Sequence, residues 1–242
     1  DWFRLQHADH ALYAGATRVE LGVQTVFDTI LSGMERGHTV SDSIAATRVA
    51  KDAGFKVCYH MMPGLPGSTE KKDIEAFHAL FTDEHFKPDM IKIYPTLVIE
   101  GTKLYDLWKQ GKYTPLSTEQ ASLLIARIKK NVPEWVRIQR IQRDIPSQEI
   151  CTGIKKSNLR QYVEKEMQKQ KTACRCIRCR EIGHVSAEKT KLMTDGSLRL
   201  VHRRYKASNG EEVFISLENE QQDVLVGYLR LRDVGTPHRP EL

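Results

Sequence analysis

Along residues 1–145, short apolar and β-branched runs alternate with stretches whose apolar positions return every three to four residues. That rhythm builds a parallel sheet with helices packed against it. Strands are predicted at 18–24, 56–62, 90–94 and 136–141. Two helices are sharply marked. Ala46, Val49, Ala50 and Ala53 keep the 0, 3, 4, 7 spacing of one helical face, with Ser41 as the expected N-cap and Gly54 as the stop. Ala121, Leu124, Ile125 and Ile128 repeat that spacing behind a capping box of Ser117 and Gln120, and Pro133 lies just past the end. Four strand–helix units are too few for an eight-stranded barrel, so the segment reads as part of a barrel or an open sheet, with the remainder expected upstream.

The texture changes further on. Residues 157–170 read as a polar helix, and the cysteines that follow read as a compact knot. Beyond residue 186 the stretches 197–205, 212–218 and 224–232 read as antiparallel strands, with turns at Thr194-Asp195-Gly196 and Ser208-Asn209-Gly210. A three-stranded ribbon is marginal alone, and the close at Pro237-His238-Arg239-Pro240-Glu241-Leu242 offers no apolar helix to cover it. The ribbon is therefore expected to be the start of a second domain. The opening, Asp1-Trp2-Phe3-Arg4, has neither an initiator Met nor a secretory signal, which suggests a start inside a longer protein.

Composition narrows the class. A chain of 242 residues that is 40% hydrophobic and 28% charged is an ordinary globular protein, and no apolar run approaches the roughly 20 residues of a membrane span. We expect a cytoplasmic protein with no membrane partner. The net charge of +6 is unevenly spread: residues 137–160 hold six basic residues (Arg137, Arg140, Arg143, Lys155, Lys156, Arg160) against two acids, Asp144 and Glu149. Guanidinium groups gathered at a strand exit suit phosphate oxygens, although a solvated surface or internal salt bridges would use them equally well.

The candidate chemistry sits at predicted strand ends. In Val19-Glu20-Leu21-Gly22-Val23-Gln24-Thr25, Glu20 and Gln24 share one alternating face, where they either hydrogen-bond a ligand or satisfy a neighbouring loop. His60-Met61-Met62-Pro63-Gly64-Leu65-Pro66-Gly67 runs from a strand end into a turn and a helix; Gly64 and Gly67 allow close backbone approach to a ligand, or simply a tight turn. Tyr94, in Lys92-Ile93-Tyr94-Pro95, belongs at the mouth of the sheet or is a plain strand aromatic.

Cysteine carries the most specific signal. Cys174, Cys176 and Cys179 fall within six residues, and three thiolates at this spacing can converge on one structural Zn²⁺. The fourth ligand is open among His184, Cys151, Cys58 and another His.

In one order along nearly the whole chain, these segments resemble the Elongator catalytic subunit family. The match rests on residues 15–25, Arg36-Gly37-His38-Thr39, residues 57–67, Arg140-Ile141-Gln142-Arg143-Asp144-Ile145-Pro146 and the segment from Cys174 to Glu181. The resemblance implies an α/β chain in three parts: the C-terminal part of a partial (β/α) radical S-adenosylmethionine (SAM) barrel over 1–150, a basic zinc-binding linker over 151–185, and the first strands of an acetyltransferase-like domain over 186–242. It implies an enzyme that forms 5-carboxymethyluridine at the tRNA wobble position by radical SAM chemistry, using SAM, a 4Fe-4S cluster, zinc and acetyl-CoA. Glu20, Gln24, His60, Gly64 and Tyr94 would border the SAM pocket. Cys174, Cys176, Cys179 and His184 would hold zinc. The six basic residues would hold the anticodon stem-loop, with Elongator-type subunits or a second copy of the chain as further partners. The family's cluster motif, Cys-x-x-x-Cys-x-x-Cys or a longer relative, and its glycine-rich acetyl-CoA loop are absent from the sequence, so the activity is expected of the full-length protein. Two rival readings stand beside it: a tRNA-binding zinc module without catalysis, and a protein lysine acetyltransferase.

Overall fold

The computed structural model describes residues 2–185, 197–234 and 237. In chain order the elements are α1 (Leu5–Tyr13), β1 (Arg18–Gln24), α2 (Asp28–Gly33), α3 (Val40–Asp52), β2 (Lys56–Met61), α4 (Glu70–Thr82), β3 (Met90–Ile93), β4 (Val98–Ile99), α5 (Lys103–Lys109), α6 (Thr118–Lys130), β5 (Arg137–Ile141), β6 (Ile150–Thr152), α7 (Leu159–Lys169), α8 (Ile177–Arg180), β7 (Leu198–Ala207), β8 (Gly210–Asn219) and β9 (Val224–Asp233).

β1, β2, β3 and β5 form a parallel sheet in that order. Their alternation divides the sheet into two unlike faces. On one, Leu21, Val23, Val57, Tyr59, Met61, Ile91, Ile93 and Ile138 join the main core with Ala46 and Ala50 of α3, Phe77 and Leu80 of α4, and Leu124, Ile125 and Ile128 of α6. The other face carries Glu20, Cys58, His60, Lys92 and Gln139, side chains that bond to one another across the strands. This is the partial-barrel arrangement, with helices outside and a polar lumen inside.

Local chemistry explains the helix limits. α6 starts with the expected box, Ser117 accepting from the Gln120 amide and Gln120 from that of Ser117. α3 is capped two residues earlier than Ser41: its N-cap is Thr39, whose hydroxyl accepts from the Asp42 amide while the Asp42 carboxylate accepts from Thr39 N–H at 2.8 Å. A reciprocal box satisfies two orphan amides, which Ser41 alone would not. Gly54 follows the end of α3 at φ +80°, where a side chain would be strained. α7 departs from the expected polar helix, because Leu159, Val163 and Met167, four residues apart, are buried in the main core.

β7, β8 and β9 form an antiparallel sheet. The β7–β8 turn has Ser208 and Asn209 at φ +48° and +62° and closes the Ala207–Gly210 pair, the geometry the strand twist prefers. The turn predicted at 194–196 lies outside the described residues. One face of this sheet packs on the barrel through a small core of Ile177, Tyr205, Ala207, Phe214 and Leu225, against which Trp135 stacks. On the other face Leu200, Leu229 and Leu231 are exposed.

Charge surrounds that small core. Lys51, Asp89 and Glu212 are each at most 3% exposed. Lys51 Nζ lies 2.5 Å from Glu212 and 3.4 Å from Asp89. Arg230 adds an ion pair to Asp89 and donates to the Trp135 carbonyl, while Arg232 bridges Asp52 and Glu212. Burial alone would raise the Asp89 pKa, but the charges of Lys51 and Arg230 outweigh it and hold the carboxyl below its ordinary value. On the far side, Arg180, 1% exposed, pairs with Glu218 and Asp223, and Arg203 reaches Glu218 at 2.7 Å.

Burial would raise Glu218 as well, yet hydrogen bonds from Arg203, Ser216 and Arg180 prevail and hold it at about 2, against an ordinary 4.5. A carboxyl depressed on folding contributes stability above its unfolded pKa and loses it as pH falls toward its folded one. Acidification from about 4.5 to about 2 is therefore expected to loosen this junction. In a Trp2→Phe, Trp108→Phe background the fluorescence of Trp135, stacked 4.4 Å from Tyr205, should report it. Glu218→Gln should remove that acid step and cost about 3 kcal/mol at neutral pH by taking from Arg180 and Arg203 the buried carboxylate they share, leaving them only Asp223 and Glu134. An unaltered acid step in the variant would refute the assignment.

Candidate functional site

The lumen face is built by register. β1–β2 pairing sets Glu20 beside Cys58, and β2–β3 pairing sets His60 beside Lys92. The Glu20 carboxylate accepts from the His60 ring at 2.6 Å and from the Lys92 ammonium. Burial would raise its pKa, but bonds from Lys92 and His60, reinforced by their charges, pull it below the ordinary value. Glu20 is thus an anion shared among His60, Lys92 and Arg18, whose Nε lies 3.1 Å from it, and is about a quarter exposed. Beneath it the Cys58 thiol, fully buried, is pushed up to about 12 by burial first and by the Glu20 charge second. Cys58 stays a neutral thiol, 3.6 Å from the Gln139 amide oxygen.

The strand ends close the upper rim. Gln24 takes φ +66°, and its amide nitrogen reaches the His60 carbonyl at 3.4 Å. Tyr94 packs edge-on against the His60 ring, centroids 5.4 Å apart, and burial raises its hydroxyl pKa. Glu20, Gln24, His60 and Tyr94 therefore gather on one surface at the C-terminal side of the sheet, where parallel α/β sheets take ligands. Gly64 lies beyond the end of β2, at φ +80°, with both its backbone polar groups engaged by side chains. Lys92 and Gln139 complete the surface without having been singled out, and Cys58, a candidate fourth zinc ligand by sequence, lies here with Glu20 and His60 and not with the clustered cysteines. The legible signal was a lysine inside the otherwise apolar Met90–Ile93 strand.

The six basic residues separate into groups. Arg140, Arg143, Lys155 and Arg160 line one cavity of about 630 Å³ beyond the end of β5, together with Gln142, Ser147 and Ser157. Arg140 is ion-paired with Asp144, and Arg160 donates to the Ile138 carbonyl. Arg137 sits at the opposite end of β5, in a bidentate pair with Glu181 at 2.5 and 2.7 Å. Lys156 turns to Tyr162, whose hydroxyl is 2.8 Å away.

The sulfurs of Cys174, Cys176 and Cys179 lie within 4.8 Å of one another. Three convergent thiols on a short buried turn suit a soft tetrahedral cation. His184 does not join them: its Nε2 is 3.0 Å from Glu181, and the ring is 44% exposed. Among the described residues no fourth His, Cys, Asp or Glu completes the group. Cys58 groups with Glu20 and His60 and with no other cysteine, so the described residues do not supply a three-cysteine iron–sulfur ligand set there. No described helix is long and apolar enough to cross a membrane.

The profile described as "Radical SAM superfamily" matches residues 3–80, and that described as "Radical_SAM C-terminal domain" matches residues 88–169. The chain is 49% identical over all 242 residues to a protein of Methanocaldococcus infernus named tRNA uridine(34) acetyltransferase, and covers 45% of it. It is 44% identical over 237 residues to Elongator complex protein 3 of Dictyostelium discoideum, spanning 98% of this chain and 42% of that one. The solved structure of the M. infernus Elp3 with its N-terminus deleted superposes with a TM-score of 0.94 at 49% identity, over 98% of this chain and 56% of that one. The chain spans less than half the length of these curated relatives. With a half-barrel of this topology and identity at this level across its full extent, it belongs to the Elongator catalytic-subunit family of the radical SAM superfamily.

Proposed function

We propose that this chain supplies the cofactor-facing half-barrel and an RNA-facing surface of an enzyme that forms 5-carboxymethyluridine at the tRNA wobble position, with acetyl-CoA as acyl source. The observation that carries the reading is the 49% identity, over the whole chain, to a protein named tRNA uridine(34) acetyltransferase. The lumen supports it. Glu20 offers an anion to an ammonium or ribose hydroxyl, Gln24 an amide, and Tyr94 and His60 an aromatic wall. Those groups fit SAM, which on reduction supplies a radical able to take a hydrogen atom from an acetyl methyl group. The residues of this chain bind and orient; the described residues do not hold the cluster, and no electron-transfer step is assigned to them.

The cationic cavity past β5 suits an anticodon stem-loop backbone, since phosphate contacts give position and affinity. Arg143 and Lys155 are its freest donors, because Arg140 and Arg160 already have partners. Arg137 serves the protein's interior through Glu181 and is not expected to touch RNA. Zinc on Cys174, Cys176 and Cys179 would fasten the turn that joins the barrel to the second sheet. Elongator-type subunits, or a second copy of this chain, are the further partners the family suggests.

Binding of this chain to a labelled anticodon stem-loop across a salt series tests the RNA surface. Arg143→Ala with Lys155→Ala should weaken binding and lower the salt slope by about one per residue removed. Arg137→Ala should leave the slope unchanged. Equal, feeble binding by all forms would remove the RNA reading and favour a protein substrate.

Metal analysis of the purified chain should find one zinc. Cys176→Ser should lose it and His184→Ala should keep it. A zinc-free wild type that is folded would eliminate the site.

A further inference from the structure

The loop between β2 and α4 is held by side chains that neither the lumen nor the family assignment accounts for. Asp73, in the first turn of α4 and 6% exposed, spends both carboxylate oxygens on this loop. One accepts from the Gly64 amide at 2.8 Å and the other from the Ser68 hydroxyl at 2.7 Å. Tyr113, 8% exposed, donates its hydroxyl to the Gly64 carbonyl at 2.7 Å. Gly64 is therefore clamped on both its backbone polar groups. It also has no room for a side chain, since a Cβ would come 2.9 Å from Leu116. The glycine serves the packing of the loop on Leu116.

The clamped loop is stitched to the strand ends of the candidate pocket. Pro63 O accepts from the Thr96 amide at 3.0 Å and from its hydroxyl at 3.1 Å. The Met62 amide donates to Gln24 O at 2.9 Å, and the Tyr94 amide to Met61 O at 2.8 Å. A displacement of Gly64 is thus passed within two or three residues to Gln24 and Tyr94. No ion pair to Asp73 occurs among the described residues, and burial raises its pKa first of all. A desolvated carboxylate without a facing cation is costly unless its hydrogen bonds are in demand.

We propose that Asp73 and Tyr113 are positioning residues: they set the 62–68 loop, and through it the backbone at Gln24 and Tyr94, for binding an adenosyl group in the lumen. The proposal rests on the lumen being the cofactor pocket. It assigns Asp73 and Tyr113 no contact with the ligand.

The test has two readouts on this chain. Amide hydrogen exchange at residues 62–68 reads the clamp without any ligand. Titration with 5′-deoxyadenosine, which carries the adenosyl group without needing an iron site, reads the pocket by ligand-observed NMR. Asp73→Ala should speed exchange at Gly64 by about tenfold or more while helix α6 keeps its protection, and should weaken 5′-deoxyadenosine binding by about tenfold. Asp73→Asn, which keeps one acceptor, should fall between, and Tyr113→Phe should act in the same direction. Should Asp73→Ala fail to fold, Asp73→Asn and Tyr113→Phe carry the test. Unchanged exchange in the variants overturns the clamp. Faster exchange with unaltered ligand affinity overturns the positioning role while leaving the pocket intact. A wild type that binds no 5′-deoxyadenosine overturns the pocket reading, and the positioning role with it, even where exchange confirms the clamp.

Discussion

Two-residue alternation along four parallel strands is the constraint on which the rest depends. Each strand gives its apolar positions to the helices and its polar positions to the lumen, and the parallel register aligns Glu20 with Cys58 and His60 with Lys92. A one-residue slip in β2 would turn Val57, Tyr59 and Met61 inward and bury His60 under α3 and α4. The hydrophobic effect that seats the helices therefore also sets the chemistry of the opposite face. Helix packing and ligand geometry are one decision.

The second sheet is located differently. Its apolar contact with the barrel is small, and much of the junction is made of paired charges that have left water. Lys51, Asp89 and Glu212 are costly to bury singly and tolerable only together with Arg230 and Arg232. Such a network adds little net stability over an apolar interface of equal size, but it admits few alternative alignments. The same logic operates around Arg180, whose charge is met by Glu218 and Asp223 from the sheet. The cysteine turn thus touches both layers. Ile177 donates its amide to Val136 O beside β5, and Glu181 bridges to Leu225 of β9 while holding Arg137.

Ligand-facing groups here depend on supports that bind nothing themselves. Gln24 and Tyr94 take their places from backbone bonds to residues 61 and 62, and those in turn continue into a loop clamped from α4 and from Tyr113. Pre-organisation of this kind lowers what a ligand must spend on ordering its site.

Much of this was legible along the chain. Periodicity placed all four parallel strands and the α3 and α6 helices, because period two and period 3.6 are imposed locally by backbone geometry. The capping box at Ser117 was readable for the same reason, whereas Thr39 was missed in favour of Ser41 because two hydroxyl residues compete and only the Asp42 side chain decides between them. Cysteine spacing announced that three thiols converge, since six residues cannot keep them far apart. What lay beyond the sequence was every pairing made across long separations. Arg137 looked like its neighbours Arg140 and Arg143 until tertiary structure brought Glu181 to it from 44 residues away. Lys92 looked like a strand lysine until Glu20, 72 residues earlier, met it in the lumen. Charge and spacing are properties of a segment and can be read from it; which charge is neutralised, and which stays open to a ligand, depends on the partners that folding delivers.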